Sequence, residues 1–519
     1  MTRPMRVGLV VPDLSPHDAI GNDVVGMYLI LNHEGYECNI YTQTGETRHP
    51  FPIFCYADIP LFLDSPDDVL IYHYCVDDPA AMCLLRGFPG RLVLKYHNLT
   101  PPRFMARYSK DFALACKRAR DGLRHVCQLP LAWVLNDSDF NASDIRPLLP
   151  GGVPISTIAP MHRTSELLGS PDDPETRVQL DQAWFNIMTV GRMVPNKALE
   201  LMIPALGKLR DQGAAGVRLH IAGGKDPRLG SYTALVEALV AEYHLQETVV
   251  WHQYVSASKL ATLYRHSDVL WTVSQHEGFC VPVVEAMGFG LPVLSSRKGA
   301  LPETCAGAAL FADHNDELVS RLQQLLNDDV LRADLSERGL RRYHDHFRMD
   351  RLQEKFIGEF NKIIGDAIIQ MPSADADWFG LPCTDELISV ATSARVNKRL
   401  ATADGRRNLV DWIVRVGRRA DARAKRLMGS PAMAVYARQL SVPDVAAHLT
   451  PSMRLAWYFD PIARSKFLLR TNPEVAAFLE WYDAFAQADY GDLFGPSIDL
   501  NSVFELGDGL VAAADGSVC

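Results

Sequence analysis

The sequence predicts an α/β protein: two Rossmann-like, doubly wound parallel-sheet domains facing a cleft, plus a mainly α-helical C-terminal extension. Three observations carry that reading. Short continuous apolar runs alternate with amphipathic stretches through the first 145 residues, as expected of strands buried on both faces of a parallel sheet. A segment rich in proline and glycine, 146–183, then interrupts the pattern, with prolines at 147, 150, 154, 160, 171 and 174. The alternation restarts after it, and beyond residue 370 strand-like runs become scarce. The expected division is 1–165 and 166–350 for the two domains, 351–370 for a helix crossing back to the first, and 371–519 for a helical accessory region.

The elements follow in order. Arg6–Val11 is an apolar run ended by Pro12. Gly21–His33 shows helical periodicity through Val24, Val25, Tyr28, Leu29 and Leu31, with Gly35 as a stop. Cys38–Tyr41, Val69–Cys75, Arg91–His97 and Trp133–Asn136 are further β-type runs, and a strand or two is expected inside 146–183. In the second half, strands at Phe185–Val190, Arg218–Ala222, Val249–Trp251, Val269–Val273 and Pro292–Ser295 alternate with helices. Those helices run through Leu209 and over Thr233–Tyr243, Ser258–His266, Val283–Phe289, Leu318–Asn327 and Val330–His346. The period is that of βα units, not of a solenoid. In the tail, 384–400, 407–428, 431–440, 452–468 and 473–487 read as helices.

Composition bounds the function. A chain of 519 residues, 48% hydrophobic and 22% charged, buries large cores and needs no staples. A net charge of −10 argues against bulk nucleic-acid binding. Ten cysteines without a CxxC pair read as reduced, buried thiols. The first apolar run is too short for a signal-peptide core, and no uncharged apolar stretch reaches a spanning length, so a cytoplasmic protein is expected. Charge is locally uneven: 103–124 holds seven Lys/Arg against two Asp, and 395–426 eleven against three. Peripheral contact of these stretches, including the amphipathic 407–428, with the inner face of an anionic membrane is one reading; packing on the other domains is the second.

Three stretches could hold a phosphate-bearing ligand. In Gln275-His-Glu277-Gly278-Phe279-Cys280-Val-Pro-Val-Val-Glu285, a glycine turn precedes a helix, whose free N–H groups and positive dipole end suit a diphosphate. Glu277 precedes the turn, and Glu285 lies two helical turns on, where a carboxylate can accept from sugar hydroxyls. In Gly191-Arg192-Met-Val-Pro-Asn-Lys197, directly after a strand, Arg192 and Lys197 can converge on one anion. Gly223-Gly224 end another strand and permit close backbone approach. On the first domain, His97 and His73 end strands, and Gly21 lies in the segment between the first strand and helix. Asp137-Ser-Asp139 and Asp375-Ala-Asp377 match a D-x-D metal pattern, which is common by chance and sits in no obvious site. No zinc spacing, P-loop or G-x-S-x-G elbow occurs.

The Glu277-to-Glu285 stretch with Gly290-Leu-Pro-Val after it resembles the E-x7-E signature of retaining glycosyltransferases of family GT4, glycosyl transferases group 1, which have the GT-B fold. Gly191–Lys197 resembles that family's G-R-x-x-x-x-K element, with Ala198 where a glycine is usual. The resemblance covers about 5–365. It implies a donor domain at 166–350 and an acceptor-side domain at 1–165. The implied reaction is transfer of a hexose from a nucleoside diphosphate sugar to a hydroxyl of a saccharide or lipid-linked saccharide, with retention, in bacterial polysaccharide or envelope synthesis. It implies donor contacts at Gly21, Arg192, Lys197, Gly223, Gly224, Gly278, Phe279, Cys280 and Glu285, with catalytic work by His97, Glu277, Arg192 and Lys197. His97 would bond a hydroxyl of the transferred sugar. No metal or other cofactor is implied, because Arg192, Lys197 and the amides of Phe279 and Cys280 would take up the leaving group's charge. No carboxylate pair for a covalent route is evident, so same-face attack is the implied mechanism. Two other classes compete. A Rossmann oxidoreductase lacks its G-x-G-x-x-G after a strand; a non-catalytic sugar-binding scaffold would share the fold but hydrolyse no nucleotide sugar.

Overall fold

A computed structural model describes residues 5–15, 18–43, 51–253 and 255–365. The helical tail expected over 371–519, its basic stretch 407–428 and the Asp375/Asp377 pattern lie outside the described residues. Among those described, residues of 1–40, 69–78 and 91–369 form one compact unit, and those of 41–68 and 79–90 a second. The second holds the short strand Ile53–Cys55 and the helix Pro79–Arg86.

The first unit carries two groups of parallel strands. In one, Arg6–Val10, Val69–Tyr74, Arg91–Tyr96, Leu131–Asn136 and Ile155–Thr157 lie side by side in that order. In the other, the order is Val249–His252, Val217–Ala222, Phe185–Val190, Val269–Thr272, Val293–Ser295 and Leu310–Phe311. The apolar runs become strands because both faces are covered. Leu219, Ile221 and Trp271 join the core of helices Leu199–Asp211 and Asn315–Asn327, while Met188 and Leu270 join that of Val281–Gly288.

Strand bounds agree with the sequence reading to within two residues. Three differences have local causes. The first helix starts at Ala19, so Gly21 lies inside its opening turn. The proline-rich segment folds into the strand Ile155–Thr157 and the helices Thr164–Gly169 and Pro174–Leu180, with Pro174 at a first-turn position where its missing N–H costs nothing. Leu310–Phe311 is too short for any periodicity to show.

Helix Met349–Gly365 packs against residues of the first strand group. Phe360 packs edge-on against Tyr36 at 5.0 Å, Gln353 donates to Glu34 (3.0 Å), and Ser156 donates to Glu359 (2.7 Å). The π-helical turn Tyr343–Phe347 leads into it and is tied by His162, whose Nε2 lies 2.9 Å from the Phe347 carbonyl. Among the described residues, no helix is long and apolar enough to cross a membrane.

The second sheet fixes where a ligand can sit. Phe185–Val190, first in sequence, has Val217–Ala222 on one side and Val269–Thr272 on the other. The winding reverses there, and open α/β sheets bind ligands in the crevice beyond the strand ends at such a point. The chain leaves one of these strands through 191–197 and the other through 273–280.

Candidate active site

On the second-sheet side, three backbone features shape the crevice. Gly191 has φ +144°, and the Lys197 side chain fills the space a Cβ would take, its Cε 2.9 Å from that point. Gly223 has φ +154°, and its Cβ would fall 2.0 Å from the Gly191 carbonyl oxygen. This glycine therefore lets two strand exits meet, while Gly224 faces open space. Ala198 adopts a left-handed conformation at φ 54°, ψ 44° and heads helix Leu199–Asp211. That explains why a glycine is usual at this position: a side chain there costs about 1 kcal/mol or more.

Lys197 Nζ lies 2.6 Å from Glu277 Oε1. Burial acts to lower the Lys197 pKa, but the Glu277 carboxylate more than offsets this and holds it above the ordinary lysine value. Arg192 does not converge with Lys197 on one point here; it is 69% exposed, 3.8 Å from Asp226, which Arg228 already engages through two contacts. Each cation faces a different carboxylate, Arg192 that of Asp226 and Lys197 that of Glu277. Cys280, at φ 80°, is the N-cap of helix Val281–Gly288. Thr304 donates to the Phe279 carbonyl (2.7 Å) and Ser138 to that of Gly278 (2.7 Å), which fixes the turn. Glu285 is buried and accepts from the Tyr264 hydroxyl (2.6 Å); burial raises its pKa.

On the first-sheet side, side-chain alternation places Lys95 and His97 on one face of their strand and its exit. Lys95 pairs in register with His73 on one neighbour and with Leu135 on the other, two residues before Asp137. Lys95 Nζ lies 2.7 Å from Asp137 Oδ1, and Asp137 Oδ2 lies 3.1 Å from His97 Nδ1. His97 Nε2 lies 2.8 Å from His73 Nδ1. Both His97 ring nitrogens are thus engaged within the protein, so in this conformation neither is free for a sugar hydroxyl. Gly21 serves packing: a Cβ there would meet the Ser15 carbonyl oxygen at 2.8 Å.

The two sides close on a cavity of about 230 Å³ lined by Asp18, His97, Asp137, Lys197, Glu277 and the Gly278–Pro282 turn. Of the residues expected at the site, His97, Lys197, Glu277, Gly278, Phe279 and Cys280 line it, whereas Gly21, Arg192, Gly223, Gly224 and Glu285 do not. Glu303 bridges the sides, accepting from the Asp139 (2.7 Å) and Phe140 (3.1 Å) amides, and His276 Nε2 lies 2.7 Å from Asn98 Oδ1. Gly278 permits this approach, since its Cβ would lie 2.6 Å from that of Asn98.

Asp137 lines the cavity, but not as half of a D-x-D pair. Its carboxylate belongs to the site through Lys95 and His97, while Asp139 accepts from Thr157 (2.6 Å). Asp23, Lys95, His276 and Glu303 carry no role in the reading of the sequence. A signal existed for one: Arg-Leu-Val-Leu-Lys95-Tyr places a lysine inside a strand buried on both faces, which demands a buried counter-charge.

Residues 178–342 match the family model described as Glycosyl transferases group 1. This segment is a group 1 glycosyltransferase domain. The chain is 30% identical over 177 residues to an MMP alpha-(1->4)-mannosyltransferase of Mycolicibacterium hassiacum, covering 33% of this chain and 41% of the relative. It is 30% identical over 324 residues to the serotype-specific mannosyltransferase WbdA of Escherichia coli, covering 55% of this chain and 36% of that one. The matches thus span well under half of these relatives' length. Among solved structures, HepE of Anabaena in complex with UDP and glucose superposes with a TM-score of 0.54 at 13% identity, over 69% of this chain and all of that one. The fold of the chain is GT-B.

Proposed function

We propose that this protein is a retaining glycosyltransferase that moves a hexose from a nucleoside diphosphate sugar to a hydroxyl of a saccharide or lipid-linked saccharide acceptor, in bacterial polysaccharide or envelope glycan synthesis. The observation that carries the reading is Lys197 and Glu277 meeting at 2.6 Å at the reversal point of the second sheet, beside the N-terminus of helix Val281–Gly288. A diphosphate arriving there displaces Glu277 from Lys197, draws in the exposed Arg192 and takes the helix amides, so that the leaving group's charge is met by groups already beside it. Glu277, released, orients the sugar. The leaving phosphate assists removal of the acceptor proton on the same face. The positive charge required comes from side chains and amides, and the reading assigns no metal.

A 230 Å³ cavity accommodates a sugar-sized group, whereas whole ligands occupy sites of about 300–1,000 Å³. Nucleotide entry therefore requires the Ser138–Gly278, Glu303–Asp139 and His276–Asn98 contacts to part, with Met349–Gly365 as the continuous connection. The relatives' mannosyl transfer and the UDP in the solved neighbour make GDP-mannose and UDP-glucose the first donors to test. A panel of UDP- and GDP-sugars, scored by release of nucleoside diphosphate with and without saccharide acceptors, tests the reading. Turnover of at least one is expected; none with any donor counts against it.

Helix Lys110–Val126 exposes Lys110, Lys117, Arg118 and Arg124 together with half-exposed Leu114. We assign this face to peripheral contact with an anionic membrane, which would bring a lipid-linked acceptor to the cleft. Co-sedimentation with phosphatidylglycerol vesicles but not phosphatidylcholine vesicles is expected, lost in Lys117→Glu/Arg118→Glu; equal recovery with both lipids contradicts it.

A further inference from the structure

Behind the cavity wall, five ionisable groups form a closed network. Lys95 is fully buried and donates to the Ile158 carbonyl (2.8 Å) besides pairing with Asp137. Asp23 Oδ1 accepts from the Met161 amide (2.7 Å), while its Oδ2 lies 3.8 Å from Lys95 Nζ and from His97 Nε2 and has no hydrogen-bond partner among the described residues. His73 Nε2 likewise has none.

The contacts determine where the protons are. An ionised carboxylate only accepts, so the proton between Asp137 and His97 sits on His97 Nδ1. The 2.8 Å contact between His97 Nε2 and His73 Nδ1 then needs a proton from His73. That leaves His73 Nε2 bare, in keeping with its lack of a partner. Burial holds His73 well below the ordinary imidazole range and raises Asp23 above the ordinary carboxyl range. Burial also acts against ionised Asp137, but Lys95 and His97 more than offset it.

We propose that Asp137, neutralised by Lys95, is a positioning residue for His97: it fixes the imidazole with its proton on Nδ1 and its Nε2 lone pair turned toward His73. The consequence for sugar transfer rests on the glycosyltransferase reading above. As the bond to the diphosphate breaks, positive charge grows on the sugar and negative charge on the leaving group. Lys197 lines one part of the 230 Å³ cavity, and His97 with Asp137 lines another, so the cavity has a cation on one side and, on the other, the carboxylate of Asp137 beside an imidazole whose nitrogens are held in the wall. A ring turned over, or protonated at both nitrogens, would present the wrong charge.

The full chain labelled with 15N-histidine tests this, as wild type, as Asp137→Asn and as Lys95→Met/Asp137→Asn. The double variant is needed because Asp137→Asn alone leaves a buried lysine without a counter-ion and can unfold the protein. The wild-type spectrum should show His97 protonated at Nδ1 and bare at Nε2, a pattern both variants lose. With GDP-mannose and UDP-glucose, and nucleoside diphosphate release as readout, the double variant should keep the wild-type melting temperature to within a few degrees. Its kcat should fall about 100-fold with KM changed less than about threefold. Recovery of wild-type kcat in the folded double variant would reduce Lys95–Asp137 to a structural ion pair and overturn the proposal. So would a wild-type His97 protonated at Nε2, or a stoichiometric divalent metal in the purified protein, which would make Asp23, His73 and His97 an ion site. If no donor is turned over at all, the glycosyltransferase reading fails instead, and the histidine spectrum still decides the proton placement.

Discussion

The two sides of the cavity are built on similar parallel strands but manage charge in opposite ways. On the first-sheet side, Asp23, His73 and Lys95 are fully buried, and Lys95 is answered by Asp137 within the protein. On the second-sheet side, Arg192 is mostly exposed, and Lys197 and Glu277 keep 20% and 11% of their side-chain surface open. The first arrangement keeps its ion pair inside the wall; the second pair is partly open to the cavity. A buried ion pair resists loss of either partner, whereas a half-open pair exchanges its partner for a ligand at small cost. The difference separates a wall that is held fixed from one that binds and releases.

The largest expected effect tests the half-open side. Lys197→Met should lower kcat about 1,000-fold in the nucleoside diphosphate release assay, and Arg192→Ala only about tenfold, since the arginine starts free in solvent. Equal losses would mean that the two cations act as one unit. Next comes the backbone that brings the strand exits together. Gly223→Ala should destabilise by about 3 kcal/mol in urea unfolding, because the methyl would meet the Gly191 carbonyl oxygen at a φ that disfavours a side chain.

A smaller effect concerns the joint with the returning helix. Burial pushes His162 down to about 4. The unfolded chain takes up that proton near pH 6.5. Between those values the unfolded state binds more protons, so stability is full above pH 6.5 and falls by about 1.4 kcal/mol per pH unit as pH drops toward 4. His162→Gln should remove that share of the slope in urea unfolding series at pH 7.5, 6 and 5. The smallest effects are gains. Ala198→Gly and Cys280→Gly each relieve a left-handed residue and should stabilise by about 1 kcal/mol, read as a shifted urea midpoint at unchanged slope.

The same contrast explains what could be read from the sequence. Second-sheet chemistry is local: Gly191 to Lys197 and Glu277 to Glu285 are short stretches beside their own strand ends, so each can be matched as a motif by its residues and its resemblance to the family's elements. The strands were legible for the same reason, since buried parallel strands are continuous apolar runs. The first-sheet network draws Asp23, His73 and Lys95 from one helix and two strands and His97 and Asp137 from the exits of two strands, and no short pattern joins them. His97 is marked by its strand end as well as by resemblance, whereas Asp137 shows only as half of a D-x-D match that is common by chance. Arg192 shows the opposite failure: its position was legible, its rotamer was not, because what it faces depends on whether an anion is bound.

Calorimetric titration of GDP and of UDP into the full chain and into Lys197→Met tests most directly the central claim, that a nucleoside diphosphate is held where Phe185–Val190 gives way to Gly191–Lys197. The account predicts binding of at least one nucleotide to the wild-type protein, weakened by about tenfold or more in Lys197→Met. Equal affinity of the two proteins, or no heat from either nucleotide, would contradict it.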